Sequence, residues 1–348
     1  MAEIKLGIMG FGFMGHEYLN VLKGFDEIQI VAVCDNNPEQ VADAPENVKV
    51  YSEIDEILKD KEIDTVIISL PNPLHFEAVL KSARAGKHVI CEKPAAMSVA
   101  EFDEMVKVTK ECGVTFTIHH QRRWDKDYRI MKKVYDDGLL GDVYIIKSQI
   151  YGVNGNMHDW HIYPEMGGGM LYDWGVHLID QILNMVDSEI DNVYADVQNV
   201  INENVDDYFK IITKFKNGVT AEIELGTYYL TPKREWFIGG NKGSAIMEGF
   251  GGEGRIIRTT RLLENVEKKV TMTSAGPTRS FGPPAPGLLY EEELPEVNVS
   301  HKDYFANYIN ARKGLEELAI KPEQVRRVLV FMDAVRESSR KGETIRIK

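Results

Sequence analysis

Residues 5–15 read KLGIMGFGFMG, an apolar run followed by a glycine-rich segment. The glycines have the spacing G-x-G-x-x-G, at Gly10, Gly12 and Gly15. In this pattern the first glycine permits a tight turn, the second lets the backbone approach a pyrophosphate, and the third lets a helix pack on the strand. The N-terminus of such a helix attracts phosphate charge. The segment therefore predicts a dinucleotide-binding turn between a strand and a helix.

An acidic residue stands where this kind of turn needs one. Asp35 follows a second predicted strand, residues 28–34, and lies 20 residues after Gly15, where a carboxylate binds the ribose hydroxyls of adenosine. A glycine-rich turn beside a strand-end aspartate also occurs without a ligand, but the two offsets together favour the dinucleotide. The carboxylate would repel a 2′-phosphate, and Asn36 and Asn37 supply no arginine for one, so NAD is predicted over NADP. The predicted cofactor contacts here are Gly10, Phe11, Gly12, Phe13, Met14, Gly15, Asp35 and Asn36.

The first third of the chain alternates short apolar runs with amphipathic stretches, the pattern of strand–helix–strand units in a parallel sheet. Residues 66–68, VII, show no polar alternation, as expected of a strand covered on both faces. Asn72 before Pro73 is interpreted as a helix N-cap, and Ser98 with Glu101 as a capping box. Strands are predicted at residues 5–9, 28–34, 48–51, 65–70, 88–91 and 115–119.

The pattern changes after residue 122. Long alternating segments follow, and Asn217-Gly218 between residues 208–215 and 219–227 is a strong hairpin signal. We predict a Rossmann domain over residues 1–122 and a second domain over residues 123–348, whose mainly antiparallel sheet has helices on one face. Residues 273–287, rich in glycine and proline, are predicted to form an irregular arm in which residues 278–281 reach a neighbouring site or subunit. Helices are predicted at residues 125–136, 170–185, 302–312 and 322–340, the last two packing back on the first domain.

Composition excludes several classes of protein. The 348 residues carry a net charge of −13, with 41 Lys and Arg against 54 Asp and Glu, which argues against a general nucleic-acid binder. No stretch approaches the ~20 apolar residues of a membrane span. The start shows no signal-peptide pattern, and the three cysteines lack CxxC spacing. Free thiols in a cytoplasmic protein are therefore expected.

Three further motifs complete a recognisable set: SLPNPLH at residues 69–75, EKP at residues 92–94, and GGGMLYDWGVH at residues 167–177, followed by Asp180. With the glycine-rich turn, and in this order, they closely resemble the Gfo/Idh/MocA oxidoreductases, the family of glucose–fructose oxidoreductase and inositol dehydrogenase. The resemblance implies an α/β fold, with an N-terminal Rossmann domain and a C-terminal α/β domain built on a large open, mainly antiparallel sheet. It also implies a sugar or cyclitol substrate between the two domains. The further cofactor contacts it implies are Leu70, Pro71, Asn72, His75, Glu92, Lys93 and Gln121.

The predicted chemistry is oxidation of a carbinol to a ketone, which removes a proton from O–H and a hydride from C–H. The protein must supply a base and a stabiliser of negative charge on oxygen. Asp173 and His177 are four residues apart and share one face of a helix, and a neutral imidazole accepts protons near pH 7. The resemblance implies that His177 is this base, that Asp173 hydrogen-bonds the reacting sugar and that Lys93 holds the reacting hydroxyl, where its ammonium would stabilise developing charge. Pro94 restricts the backbone of Lys93 and helps to aim it.

Two segments are predicted to meet the substrate. In residues 119–124, HHQRRW, the resemblance implies a contact from one arginine, and we assign it to Arg122 rather than Arg123. In residues 151–166, aromatic and hydrogen-bonding side chains suit a carbohydrate, and His158, Trp160 and Tyr163 are the predicted contacts. The alternative is that Trp160 and Tyr163 simply pack inside the second domain.

Other interpretations stay open from the sequence. A zinc site could use His158 and His161 with Asp159, Asp173 and His177, but the predicted chemistry needs no metal, and none is predicted. A redox-neutral enzyme could oxidise a sugar transiently to cleave a glycosidic bond or to exchange oxidation state between sugars. A non-enzymatic sugar or NAD sensor could keep the fold alone, although this chain retains Lys93 and His177.

The last expectation concerns assembly. A sheet with helices on one face leaves an apolar face exposed, and such patches mark interfaces. Members of the family commonly form dimers or tetramers, so a homodimer or homotetramer is predicted, with Tyr228, Tyr229 and Trp236 on the contact surface.

Overall fold

A computed structural model gives the fold and describes residues 4–153, 157–231, 233–261, 270–279 and 284–347. The N-terminal part is a parallel sheet of six strands, whose order is β3-β2-β1-β4-β5-β6. The four residues of β4 are all buried, as predicted from their uninterrupted apolar run. The strands are β1 (Ile4–Met9), β2 (Ile28–Cys34), β3 (Lys49–Tyr51), β4 (Thr65–Ile68), β5 (His88–Cys91) and β6 (Phe116–Ile118), and the helices are α1 (Phe13–Val21), α2 (Ile54–Ile57), α3 (His75–Arg84) and α4 (Val99–Glu111).

This strand order confirms the predicted Rossmann sheet. The order reverses between β1 and β4, which pair in parallel, and ligands of such sheets bind outside the carboxyl ends of the strands at this switch point. The turn after β1 and the turn after β4 therefore open on the same edge of the sheet. They are two of the segments in which the sequence predicted cofactor contacts.

One predicted helix start is wrong. Asn72 does not cap α3, because its side-chain amide is buried and donates a hydrogen bond to the carbonyl of Gly167, 3.1 Å away. The chain instead enters α3 through the 3₁₀ turn Asn72–Leu74. At α4, Ser98 Oγ accepts from the amide of Glu101 as predicted, but the Glu101 carboxylate accepts from the amide of Met97. Asn72 thus joins the two halves of the molecule instead of ending a helix.

The second half is built on a nine-stranded sheet of order β16-β13-β12-β11-β7-β10-β9-β8-β17. Only the central pair of β7 and β10 is parallel among the described ladders of this sheet, so it is mainly antiparallel, as predicted. Asn217-Gly218 joins β9 to β10, which confirms the hairpin. The strands are β7 (Val143–Tyr151), β8 (Ile190–Gln198), β9 (Tyr208–Phe215), β10 (Thr220–Gly226), β11 (Trp236–Gly240), β12 (Gly243–Met247), β13 (Gly254–Thr259), β16 (Leu289–Glu292) and β17 (Ile345–Arg346).

Helices cover one face of this large sheet. They are α5 (Lys126–Asp136), α6 (Val176–Met185) and α8 (Pro322–Lys341), and their apolar side chains share one core with the strands. α7 (Lys302–Arg312) packs instead on the first sheet through residues such as Phe305 and Tyr308, and α8 contributes Leu329 to that core as well. Both terminal helices therefore contribute side chains to the core of the first sheet. The domain division at residue 122 stays a prediction.

The helix predicted over residues 170–185 is not uniform. It begins as a π-helical turn, Leu171–Gly175, and becomes α-helical only at Val176. Such π-turns are rare and occur frequently at functional sites. The irregular turn carries Asp173, one of the predicted catalytic residues.

The predicted contact surface on the open face of this sheet is corrected at Trp236. Trp236 is only 1% exposed and points toward the helices, where its indole donates to Asp127 Oδ2 at 2.8 Å. Tyr229 does lie on the open side, where its hydroxyl donates to Glu224 and its ring packs on Tyr151. Glu224 and the ion pair of Lys147 with Glu222 make the centre of this face polar.

The predicted irregular arm contains a strand. β14 (Val270–Thr273) pairs with β15 (Gly276–Arg279) in a two-stranded sheet, so residues 276–279 are a strand and not a loop. Residues 280–283, which include Ser280 and Phe281 of the predicted contact, lie outside the described residues. Cys34, Cys91 and Cys112 are free thiols, as expected. In the described part of the chain, no helix is both long and apolar enough to span a bilayer.

Candidate active site

The turn after β1 has no room for a side chain at two of its three glycines. A Cβ on Gly10, which has a φ of +87°, would lie 2.4 Å from the carbonyl oxygen of Ser69, and a Cβ on Gly15 would lie 2.6 Å from the carbonyl oxygen of Gly10. A Cβ on Gly12 would meet no described atom within 4 Å, so the backbone is open on that side. α1 begins directly after Gly12 without a side-chain cap, which leaves its first amides available to an anion.

Asp35 is fixed at the mouth of this turn. Its Oδ2 accepts a hydrogen bond from the amide of Phe11 at 2.8 Å, and its Oδ1 accepts from the amide of Asn37 at 2.9 Å. Phe13 is exposed and Met14 half-buried at the start of α1, and Asn36 is exposed. The open backbone at Gly12, the uncapped helix and the strand-end carboxylate fit a dinucleotide, as the sequence predicted.

His16 is a neighbour of this turn that the sequence analysis missed. Its Nδ1 lies 2.8 Å from the carbonyl oxygen of Gly12, and its Nε2 lies 3.0 Å from Asp43 Oδ1. The ring also packs on Phe11. Its position one residue after the third glycine was the available signal.

Two side chains that were predicted to contact the cofactor, Glu92 and His75, have hydrogen-bonding partners within the protein. Glu92 is buried, where its Oε1 accepts from the Tyr18 hydroxyl and lies 2.9 Å from His119 Nδ1, and its Oε2 accepts from the amide of Lys93. Burial would raise the pKa of Glu92, but His119 and Lys93 lower it to about 2. The buried ring of His75 lies within 2.9 Å of the carbonyl oxygens of Leu70 and Pro94. The hydrogen bonds of Glu92 therefore join α1 to the ends of β5 and β6, and those of His75 join the turns after β4 and β5.

Lys93 and Asp173 meet across the two halves of the molecule. Lys93 Nζ donates to Asp173 Oδ1 at 2.7 Å and to the Asp173 carbonyl at 2.9 Å. The two side chains are 18% and 28% exposed, so each keeps a surface toward solvent. Burial would raise the pKa of Asp173, but Lys93 and His161 hold it below its usual range. The carboxyl group of Asp173 is therefore ionised at neutral pH.

His177 is buried beside this pair. Its ring meets His120 edge-on at a centroid distance of 6.2 Å, and its Nδ1 has no hydrogen-bond partner among the described residues. Burial, reinforced by the positive charges of Lys93 and Arg122, holds the pKa of His177 well below 6.5. The imidazole is therefore neutral at pH 7 and able to accept a proton.

The two arginines of the HHQRRW segment separate in the structure. Arg123 is buried in a bidentate pair with Asp180, at 2.7 and 2.6 Å. Arg122 instead lies over the ring of Trp174, 4.1 Å from its centroid, and donates to Asp125. The structure thus brings Arg122 to the site and gives Arg123 an internal partner. Gln121 ends in a buried Oε1 without a partner among the described residues.

A cavity of about 420 Å³ adjoins Asp173, within the usual ~300–1,000 Å³ of ligand pockets. Of the predicted substrate contacts, His158 lines it, whereas Trp160 stacks on His161 and Tyr163 lies outside the lining. Among the lining residues not assigned to substrate, Tyr151 and His161 lie in the 151–166 segment and Met170 and Trp174 in the GGGMLYDWGVH motif, so the segments carried the signal, whereas Thr227 lies outside them.

The zinc alternative gains no support from this geometry. His158 pairs with Asp159 at the surface, and Asp173 pairs with Lys93. Within the described ranges, no group of three or more His, Cys, Asp or Glu side chains is arranged to hold a metal ion.

Comparisons with known proteins agree with this architecture. The sequence profile of an oxidoreductase family with an NAD-binding Rossmann fold matches residues 4–120, and that of the GFO/IDH/MocA C-terminal domain matches residues 128–246. The scyllo-inositol 2-dehydrogenase (NADP(+)) of Bacillus subtilis is 28% identical over 99% of this chain and 96% of its own. The 2,7-anhydro-N-acetylneuraminate hydratase of Escherichia coli is 30% identical over 69% of this chain and 66% of its own. The crystal structure of an NAD-binding protein from Listeria innocua, 30% identical, superimposes with a TM-score of 0.88 over 99% of this chain and 97% of that one.

Proposed function

The chain belongs to the GFO/IDH/MocA family of oxidoreductases, and on this premise we propose that it uses NAD to oxidise a secondary hydroxyl of a sugar, cyclitol or glycoside to a ketone. The observation that carries the proposal is the contact of Lys93 with Asp173 beside the neutral His177, with Asp173 lining a ligand-sized cavity. The similarity to an inositol dehydrogenase supports a polyhydroxylated substrate.

Each of these side chains has a separate task in the proposed reaction. NAD, when bound by the glycine turn and Asp35, supplies the hydride acceptor. Lys93 donates a hydrogen bond to the reacting oxygen and stabilises its growing negative charge. His177 accepts the hydroxyl proton, and Asp173 orients the ammonium of Lys93 by accepting a hydrogen bond from it. In the reverse direction the imidazolium of His177 returns the proton to the carbonyl oxygen.

A substrate survey tests the proposal directly. The purified protein is incubated with NAD and free sugars, inositols or aryl glycosides, and reduction is followed at the nicotinamide absorbance. With at least one compound the wild-type protein should reduce NAD, and the Lys93→Met and His177→Ala variants should reduce it much more slowly. Equal rates in the variants would refute these residue roles, and the absence of any reduction with the whole set would refute the proposed reaction.

The cofactor preference is a separate prediction. Wild-type kcat/KM should favour NAD over NADP, and Asp35→Ser with Asn36→Arg should move the ratio toward NADP by about 10-fold or more, because it removes a repulsive carboxylate and adds a phosphate partner. Asp35→Asn is the matched control, since its amide oxygen can still accept from the amide of Phe11 without the charge. An NADP preference in the wild type, as the name of the Bacillus subtilis relative records for that enzyme, would contradict the assignment.

A redox-neutral reaction is the second candidate, and the similarity to an anhydro-sugar hydratase favours it. In that case a transient ketone would form and be reduced again within one turnover. Product would then appear in an NMR assay with anhydro sugars or glycosides, while the nicotinamide absorbance stays constant. Net formation of reduced cofactor would instead support the dehydrogenase.

Assembly through the open face of the nine-stranded sheet is also part of the proposal. Tyr194 and Ile212 are cross-strand neighbours there, and both are exposed. Light scattering at micromolar concentration should give the mass of a dimer or tetramer, and Ile212→Asp should shift it toward the monomer because a buried charge in the contact is costly. Leu315→Asp, at an exposed site after α7, is the control. A monomeric wild type would contradict the prediction.

A further inference from the structure

A second cavity, of about 450 Å³, lies beside the candidate active site. It shares Trp174 with the first cavity, so one indole borders both spaces. Arg122, whose guanidinium lies over that indole, lines the second cavity as well. Each volume is in the range of a ligand pocket, and of the proposed catalytic residues Asp173 lines the first cavity and none lines the second. The second space is therefore available for a part of a ligand that does not react.

A buried carboxyl group in this lining lacks part of its hydrogen bonding. Asp127 is 2% exposed, and its Oδ2 accepts from the indole of Trp236, but its Oδ1 has no partner among the described residues. Burial, with Asp125 nearby, raises the pKa of Asp127 to about 6. An unsatisfied buried oxygen of this kind costs stability unless a ligand or water fills the role. A hydroxyl group of a ligand would satisfy it by donating.

The charges around the cavity disfavour an ionic occupant of either sign. Arg122 and Lys126 would oppose a cation, and Asp125 and Asp127 would oppose an anion. Arg122 already pairs with Asp125, so these two charges are compensated within the protein. A neutral group with many hydroxyls meets hydrogen-bonding partners here without meeting a net like charge.

The second cavity also has aromatic side chains in its lining, as carbohydrate sites do. Trp124, Trp174 and Phe250 line the cavity, and Phe250, 49% exposed, contacts Trp174 with ring centroids 6.2 Å apart. Aromatic faces pack against the C–H groups of sugar rings, while the polar side chains bind their hydroxyls.

We propose that this second cavity binds a second sugar ring, so that the substrate is a disaccharide or another glycoside whose two units lie on either side of Trp174. The inference rests on the proposed function, because it takes the first cavity as the place of the reacting ring. It narrows the substrate class from sugars in general to sugars with a second glycosyl unit.

Binding is measured by tryptophan fluorescence, since Trp124 and Trp174 line the second cavity. The probes are cellobiose, maltose, lactose and sucrose, each compared with its component monosaccharides, with and without NAD. At least one disaccharide should bind about 10-fold more tightly than either component. Phe250→Ala should weaken that disaccharide about 3- to 10-fold, the worth of one aromatic contact, and Phe250→Trp should restore it.

Leu315→Ala is the control, because Leu315 is exposed and absent from the lining of both cavities. The inference is overturned if no disaccharide exceeds its components, or if the preference survives Phe250→Ala. Competition of the bound disaccharide by putrescine or inorganic phosphate would overturn it as well, since it would identify an ion site. A protein that shows the disaccharide preference but reduces no NAD keeps the second cavity as a sugar site and refutes the proposed dehydrogenase instead.

Discussion

Replacement of His177 by alanine is expected to lower kcat by about 10²–10⁴-fold, the usual worth of a positioned general base. The affinity for NAD should change little, because the glycine turn and Asp35 lie on a different segment of the chain and keep their contacts. Steady-state kinetics with the best substrate of the survey measures the first quantity, and titration with NAD measures the second. Near-normal turnover in the variant would mean that another group is the base, with Lys93 as a neutral amine or Asp173 as the next candidates.

The pH dependence gives this prediction a sign that the sequence left open. Asp173 could have raised the pKa of His177, but burial and the charges of Lys93 and Arg122 lower it below 6.5. Since only the neutral imidazole accepts the proton, the oxidation rate should stay on its plateau through neutral pH and fall only in a more acidic range. A limb centred above pH 6.5 would contradict the assignment. His88→Phe is the control, because burial also lowers the pKa of His88 but His88 is not among the groups that shift the pKa of His177, so its loss should leave the limb in place.

Replacement of Lys93 by methionine should lower kcat by about 10²–10³-fold, as measured when one donor to a developing oxyanion is removed. The variant also leaves the half-buried carboxylate of Asp173 without its ammonium partner, so NAD and substrate binding are expected to weaken as well. Lys49→Met, which breaks a surface ion pair at the edge strand β3, is the matched control and should keep full turnover.

A double-mutant cycle separates the catalytic role of Lys93 from its pairing with Asp173. If the two act as a unit, Lys93→Met with Asp173→Asn should cost much less than the sum of the two single changes. Strict additivity would contradict the pairing seen in the structure. Thermal melting of all variants shows whether any loss of rate reflects unfolding.

Much of the fold followed from local pattern. The apolar run of residues 66–68 identified a strand covered on both faces, and Asn217-Gly218 identified the hairpin between β9 and β10. These features are predictable because strand burial and turn geometry depend on neighbouring residues. The positions of Asn72 and Trp236 were predicted wrongly, because each has a buried N–H group whose hydrogen-bond acceptor lies in a distant segment. The acceptors are the carbonyl of Gly167 and the carboxylate of Asp127, respectively.

The sequence by itself determined the glycine turn, the carboxylate 20 residues beyond it and the identity of the lysine, aspartate and histidine of the candidate site. Only the tertiary structure decided that Lys93 pairs with Asp173, 80 residues further along the chain. It also decided that Arg123 pairs with Asp180 inside the protein, whereas Arg122 lies over Trp174 at the site. It also decided the pKa direction of His177 and the two cavities that share Trp174. The reason is physical: spacing along the chain determines which residues share a strand or helix face, whereas partners, burial and empty volume arise only when elements far apart in the chain pack together.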